Sequence, residues 1–596
     1  MIFRKLLLLI ILFEAVYSTA QDTTLITYYE QSGYKATPSY DETVAYCKQL
    51  DQASPFIQYT TFGTSPQGRK LPLLIIDGEG RFDPASARRS GKLVLLVQAG
   101  IHPGEIDGKD AGLMFFRDLA IRQLFGNMPE NLTILFIPIF NVDGHERFGP
   151  YNRINQDGPE EMGWRTTAQN LNLNRDFLKA DSPEMQAWLK LYQQWLPDFF
   201  TDIHVTDGAD FQYVSTYGLE TIGNMDEGLT KWTNEQLIPA MEQSMDAAGY
   251  PMFPYIMFRR WHDPRSGLRS SVAGPRFSQG YTAAQNRIGL LVENHSLKDY
   301  KTRVSSTYEL LHFLSGFLNE QAAGIIELSQ LADLNAASAV FRQQPLSVNF
   351  TTGKDSIMVD FHGVEYEIEN SDLTGGNWFR YHPDRPLTFK VPYFNQQVPS
   401  AFVRIPEAYI IPPEWSEVIE KLALHGIRYS VLDNPVKIGV ESYYFTKIEY
   451  GKSSFEGRLQ VTPTFDTITE ERDYPAGSVV IPTNQRTARV IAHMLEPASP
   501  DSYLQWGFFN AIFEMKEYFE TYVMEEYARK MITDNPGLKA EFEKWKASNP
   551  EATQNQWAQL EWFFFRSPYM DKKRNVYPVG RILDRIILEK VLQNIK

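Results

Sequence analysis

The sequence predicts an α/β fold: a mostly parallel, twisted mixed sheet with helices on both faces, joined to a β-rich accessory domain and C-terminal helices. Three observations lead there. From about residue 55 to 325, short apolar runs of strand length alternate with helix-length segments. The runs are predominantly apolar instead of alternating with polar residues, as in strands covered on both faces. After about residue 330 the texture shifts to β-branched and aromatic residues with frequent Gly and Pro, and helical patterns follow toward the end.

Element by element, residues 92–100 (KLVLLVQAG) read as a strand ended by glycine, and 109–123 as a helix. Residues 132–140 (LTILFIPIF) read as a strand stopped at Asn141, and 183–195 as a helix. Residues 198–204 (DFFTDIH) and 287–294 (RIGLLVEN) are further buried-strand candidates. Residues 356–367 (SIMVDFHGVEYE) typify the β-rich stretch, and 508–532 carries a long helical pattern. The expected organisation is a signal peptide at 1–20, an α/β domain at 21–330, a β-rich accessory domain at 331–490 and a helical C-terminal region at 491–596. At 596 residues the chain is too long for one ordinary core.

The N-terminal pattern is that of export. Arg4 and Lys5 precede an apolar run at 6–13, and small residues Ser18 and Ala20 stand where cleavage would fall. That run is far below the roughly 20 residues a bilayer span needs, so no stable membrane insertion is expected. Cys47 is the sole cysteine, which rules out an internal disulfide; it reads as a buried structural thiol. An exported chain without disulfides points to a bacterial envelope, periplasmic or secreted. A formal net charge of −15 argues against nucleic acid, which calls for a basic face.

In sheets of this kind ligands gather at the carboxyl ends of the strands, and four chemistry-bearing residues fall there. His102 and Glu105, in HPGE, follow the strand at 92–100. His204 closes the strand at 198–204, and Glu293 lies near the end of 287–294. Two imidazoles and one carboxylate leave a zinc position open, which is catalytic and not structural ligation. A separate carboxylate can then take a proton from metal-activated water. One zinc is expected for this domain. Between these residues lie Asn141-Val-Asp-Gly144, read mainly as a turn, then Gly163-Trp-Arg165 and Asn172-Leu-Asn174-Arg175.

This ordered set resembles the zinc metallocarboxypeptidases of the carboxypeptidase A-like (funnelin, M14) family, over roughly residues 55–320. The family pattern is HxxE, NPDG, an Arg, an Asn-Arg pair, a strand-end His and a strand-end Glu. The resemblance implies that His102, Glu105 and His204 hold zinc and that Glu293 is the general base and then acid. It implies that Arg165 polarises the scissile carbonyl, and that Asn174 and Arg175 grip the substrate's terminal carboxylate. Peptide or protein C-termini would be the substrates. An Arg fork suits a carboxylate bidentately, and an exopeptidase needs that anchor.

Two departures stand out. NPDG reads NVDG here, and residues 268–275 lack the tyrosine that in the family covers the substrate some twenty positions before the glutamate. The base of the specificity pocket would fall near Phe277 or Ser278, without charge. Two other readings share the site: a cell-wall peptidase or amidase acting on peptidoglycan stem peptides, and a non-catalytic peptide- or glycan-binding protein. The composition of the C-terminal half names no partner for it.

Overall fold

The computed structural model describes residues 25–595. The expected signal peptide at 1–20 lies outside the described residues. Ten strands precede a long helix: β1 (Ile57–Thr64), β2 (Lys70–Asp77), β3 (Leu93–Ala99), β4 (Leu132–Ile137), β5 (Phe199–Thr206), β6 (Ser215–Leu219), β7 (Met252–Pro254), β8 (Met257–Arg260), β9 (Asp263–Arg269) and β10 (Ile288–His295). Among them run α1 (Asp107–Arg117), α2 (Pro183–Trp195) and α3 (Ser278–Ala284), and α4 (Tyr300–Ala337) follows.

Eight of these strands form one sheet in the order β1-β2-β4-β3-β5-β10-β6-β7. The central pairs β4–β3, β3–β5 and β5–β10 are parallel, while β1–β2, β2–β4 and β10–β6 are antiparallel. Side chains alternate between two cores as the pleat requires. Leu93, Leu95 and Val97 enter one core with residues of α1 and α4. Val94 and Leu96 enter the other with Trp188 and Tyr192 of α2 and Tyr281 of α3. Helices therefore cover both faces, as the apolar runs indicate.

Glycine sets how closely α1 approaches the sheet. A Cβ at Gly108 would lie 2.8 Å from the Ile203 Cβ, and one at Gly112 would lie 2.3 Å from the Phe136 ring. The helix thus rests on the strands without a spacer, and the loop that feeds it, with His102 and Glu105, is lodged at their carboxyl ends.

The boundary expected at 330 falls inside α4. Beyond it, β11 (Pro345–Thr352) pairs with β14 (Gln397–Arg404), and β12 (Ile357–Asn370) with β13 (Asn377–Phe394). Strand β9 of the first half pairs with β13, giving a four-stranded sheet β12-β13-β9-β8. A six-stranded sheet, β16-β19-β15-β20-β17-β18, is built from β15 (Ala408–Ile411), β16 (Ser430–Val431), β17 (Val436–Tyr450), β18 (Val461–Tyr474), β19 (Val479–Pro482) and β20 (Gly580–Ile582). Strand β20 comes from the stretch expected to be helical. The long helix expected at 508–532 is also absent: the helix present is α5 (Thr521–Asp534). Phe508, Phe509 and Phe513 pack into the core shared with α2, whereas Met524 and Ala528 enter a separate one. One apolar pattern served two cores.

Tyr409, Tyr443, Trp506 and Tyr577 of the C-terminal half lie in the same core as Trp188 and Tyr281. At roughly 25 cal/mol per Å² of apolar area, each such side chain contributes about 2–3 kcal/mol. The two halves are joined by a continuous interior. Cys47 is fully buried and its thiol is pushed up to about 12 by burial, in keeping with a structural thiol.

One acid in this interior is out of place. Glu184, in the first turn of α2, is fully buried, and neither carboxylate oxygen meets a partner among the described residues. Burial, then Asp143 and Asp176, push it from 4.5 to about 7. The folded state therefore binds this proton more tightly than the unfolded chain does. Stability is intact below about 4.5 and falls as pH rises through about 7, by up to about 3 kcal/mol. Glu184→Gln is expected to raise the melting temperature at pH 8 and to change it little near pH 4.5; a pH-independent effect in thermal denaturation would contradict this.

Candidate active site

The four residues singled out at strand ends come together at the carboxyl edge of the sheet. The parallel register of β5 with β10 sets Glu293 opposite His204, so their side chains share a face. Glu105 reaches the same place from the loop before α1. His102 Nδ1 and His204 Nδ1 lie 3.1 and 3.0 Å from a single oxygen, Glu105 Oε2. That oxygen also accepts the Val205 N–H at 3.0 Å. All three residues are buried, and their ligand atoms lie within 4.8 Å of one another.

The far nitrogens of both rings are held elsewhere. His102 Nε2–H donates to Asn172 Oδ1 at 2.9 Å. His204 Nε2 lies 3.0 Å from Asp202 Oδ2, and Asp202 Oδ1 accepts from Gln98 Nε2 at 3.0 Å. Both Nδ1 atoms are thereby aimed at the carboxylate, with outer partners fixing each ring as in metal sites generally. Two imidazoles and a carboxylate are the donor set of catalytic zinc, and these residues fit the ion.

Electrostatics agree. Burial pushes the His102 imidazole down to about 4. Burial works against charge at His204 too, yet Asp202 and Glu105 hold it well above its ordinary range. Glu105 is held low despite burial, by His102 and Arg153. The Glu293 carboxyl is pushed up to about 8, first by burial and then by Glu105 and Asp202, against His204 and Arg165. A cluster this rich in buried acid favours a cation, which would bring Glu293 down toward neutrality.

Arg165 Nη1 approaches Glu105 Oε1 at 3.2 Å, and its side chain is partly open to solvent. The NVDG turn places it. Asn141 Oδ1 accepts the Gly144 N–H at 3.0 Å, and the Trp164 N–H donates to Gly144 O at 2.8 Å. A Cβ at Gly144 would meet Thr166 O at 2.4 Å, so glycine lets the Arg165 segment lie against the turn. Asn174 and Arg175 line the same cleft, of about 1000 Å³. The Arg175 guanidinium lies 4.7 Å over the Phe277 ring and donates to Asn174 O at 2.6 Å; no carboxylate pairs with it among the described residues. Buried Asn174 Oδ1 also lacks a partner among them.

Four neighbours escaped the sequence reading. Arg153 pairs with Glu105 Oε1 at 2.9 Å, and no motif marks it. Asn172 was inside a quoted motif without a role. Asp202 stands two residues before His204, hence on the same strand face, a signal available from the period of the pleat. Tyr255 lines the cleft, thirty-eight positions before Glu293 instead of some twenty. Its hydroxyl is pushed up to about 12 by burial and then by Glu293, so it stays a donor at neutral pH. Of the two expected pocket-base residues, Phe277 lines the cleft and Ser278 is buried at the start of α3.

Two substitutions test this geometry. Asp202→Asn is expected to weaken zinc binding by about 10- to 100-fold, read by competition with a chromophoric chelator. Gly144→Ala is expected to keep the metal and lose turnover, because it displaces Arg165; unchanged turnover would contradict that placement.

Residues 43–209 match the family profile described as zinc carboxypeptidase. That segment contains His102, Glu105, Arg165, Asn174, Arg175 and His204; Glu293 lies beyond it and stands on its register with His204. A carboxypeptidase 2 of Trichophyton rubrum is 24% identical over 487 residues, covering 79% of this chain and 84% of that protein. One from Trichophyton tonsurans is 23% identical over 491 residues, covering 79% and 84%. These relatives are fungal and lend no support to a bacterial source. The crystal structure of carboxypeptidase A from Helicoverpa armigera aligns at 18% identity and a TM-score of 0.36, covering 48% of this chain and 74% of that one. The chain is thus similar to zinc carboxypeptidases over residues 43–209 and carries a three-residue donor set of the kind zinc takes.

Proposed function

We propose that the protein is a zinc-dependent metallocarboxypeptidase that releases residues from free peptide C-termini. The observation that carries this is Arg175, whose guanidinium is held over Phe277 and meets no carboxylate among the described residues, in the cleft that contains His102, Glu105, His204 and Glu293. A fork without a protein carboxylate is available to a substrate's. Arg165 and Arg276 add positive charge nearby; after burial, they are what depress the Arg175 pKa. An anion entering there relieves that repulsion.

Zinc bound by His102, Glu105 and His204 supplies Lewis acidity toward the scissile carbonyl and activates water. Glu293 receives a proton and passes it to the departing amine; burial raises its carboxyl, and a cation bound beside it would bring it back down. Arg165, with a permanent charge at the cleft wall, opposes the negative charge that develops on the carbonyl oxygen. Asn174 and Arg175 fix the terminal carboxylate, which places the last peptide bond before Glu293. Tyr255 offers the hydroxyl that residues 268–275 do not.

Leu219, Ile222, Val272, Leu291 and Phe277 line the cleft, as do the polar residues Thr221, Ser271, Gln279 and Asn395. Glu220 is also present, but its oxygens accept the N–H groups of Gly223 and Ala273 at 2.8 Å each. Large apolar C-terminal residues suit the apolar part of this lining. Export is supported by the pattern at residues 4–20, and no helix among the described residues is long and apolar enough to cross a membrane.

Incubation with a mixed peptide library is expected to shorten peptides from the C-terminus, releasing large apolar residues first, and a chelator is expected to abolish this. Arg165→Ala is expected to cost about 10²–10³-fold in kcat. Arg175→Ala is expected to raise KM for free-acid peptides by roughly 10- to 100-fold, the loss of a charge-assisted pair. Shortening from the N-terminus, or equal turnover of C-terminally amidated peptides, would overturn the proposal. So would full activity in zinc-loaded Glu293→Gln.

A further inference from the structure

The two halves meet at the substrate end of the cleft through polar contacts that a purely apolar interface would not need. Between β17 and β18 the chain makes a tight turn in which Phe455 and Arg458 exchange backbone hydrogen bonds at 2.8 and 3.1 Å. Both central residues, Glu456 and Gly457, have positive φ, 50° and 78°. Such a conformation is unremarkable for glycine and uncommon for glutamate. The Glu456 side chain leaves its own half and accepts the Asn172 N–H at 2.7 Å.

Asn172 is attached to the site on every side. Its Oδ1 accepts from His102 Nε2 at 2.9 Å and from the Asn174 N–H at 3.0 Å. Its carbonyl accepts the Arg175 N–H at 3.0 Å. One residue therefore orients a metal ligand and sets the backbone of both groups that face the substrate carboxylate, and Glu456 holds that residue in place.

The turn is itself anchored. Arg458 grips Asp181 with two hydrogen bonds of 2.7 and 2.8 Å, and its guanidinium lies 3.5 Å over the Phe508 ring. A second tie holds Arg276. Asp501 accepts the Arg276 N–H at 3.0 Å and pairs with its guanidinium. Arg276 precedes Phe277, the ring on which Arg175 lies. Glu456 favours the charged form of Arg175 but makes no ion pair with it, so the fork meets no carboxylate among the described residues.

We propose that this turn of the C-terminal half is a built part of the peptidase site, with Glu456 as the positioning residue for the groups that grip the substrate's terminal carboxylate. The inference rests on the carboxypeptidase reading and deepens it. Glu456 touches no substrate; it acts through Asn172.

The test compares zinc-loaded full-length wild type, Glu456→Ala and Glu456→Gln on one peptide presented as free acid and as C-terminal amide. Glu456→Ala is expected to raise KM for the free acid at least 10-fold, with kcat changed less than 3-fold and the melting temperature retained. Its binding of an N-acetylated apolar amino acid, measured by calorimetry, is expected to weaken in parallel. Glu456→Gln keeps an oxygen that can accept the Asn172 N–H, and is expected to restore both. Wild-type KM and wild-type affinity in Glu456→Ala would overturn the inference. Equal losses on acid and amide with a lowered melting temperature would do the same, because they mark a structural role alone. Should Glu456→Ala fail to fold, Arg458→Lys loosens the anchor of the same turn: a raised free-acid KM supports the inference and an unchanged one overturns it. A wild type that does not prefer the free acid would instead defeat the carboxypeptidase reading.

Discussion

In the parallel pairing of β5 with β10, Glu293 stands opposite His204, and the chemistry of the site depends on that register. Side chains alternate faces along a strand, so a slip of one position would send Glu293 to the far side of the sheet. The register is secured by burial, since nearly every residue of both strands is covered. The loop carrying His102 and Glu105 is placed by a different constraint, the close seating of Gly108 against Ile203. Sheet register and helix seating converge on one carboxylate oxygen.

Around that oxygen the protein has assembled charges that are costly apart and favourable together. Glu105, Asp202 and Glu293 would repel one another in a dry interior, and burial alone would neutralise them. His102, His204, Arg153 and Arg165 offset this, and the donors left facing inward suit a cation. Outer contacts matter as much as the ligands: Gln98 holds Asp202, Asp202 faces His204, and Asn172 holds His102. None of these three outer residues carries chemistry itself, yet each decides which ring nitrogen faces the metal position.

Much of this was legible in the sequence, for identifiable reasons. Strands such as Leu93–Ala99 are apolar but for one residue, Gln98, because both faces are covered, and the same property marks where they stop. Residues at those stops, His102, Glu105, His204 and Glu293, are therefore visible as a set. Tyr255 was hidden because the β8–β9 hairpin lies between it and Glu293 and lengthens the spacing. Arg153 was hidden because an arginine in a polar loop has no distinguishing pattern. Strand β20 is three residues long, too short for a periodic signal. Residues 508–532 misled because their apolar residues are divided between two cores.

The shared interior and the long-range ties carry a consequence for how the protein matures. Arg458 and Asp181 are separated by 277 positions, and β15 pairs with β20 from near the end of the chain. Contacts of such sequence separation form late, because the loop-closure entropy must be met before they repay it. During synthesis, the strand ends bearing His102 and His204 emerge long before the turn at Glu456 and before β20. The segments bearing the metal-ligand candidates are thus made well before the segments that complete the shared interior.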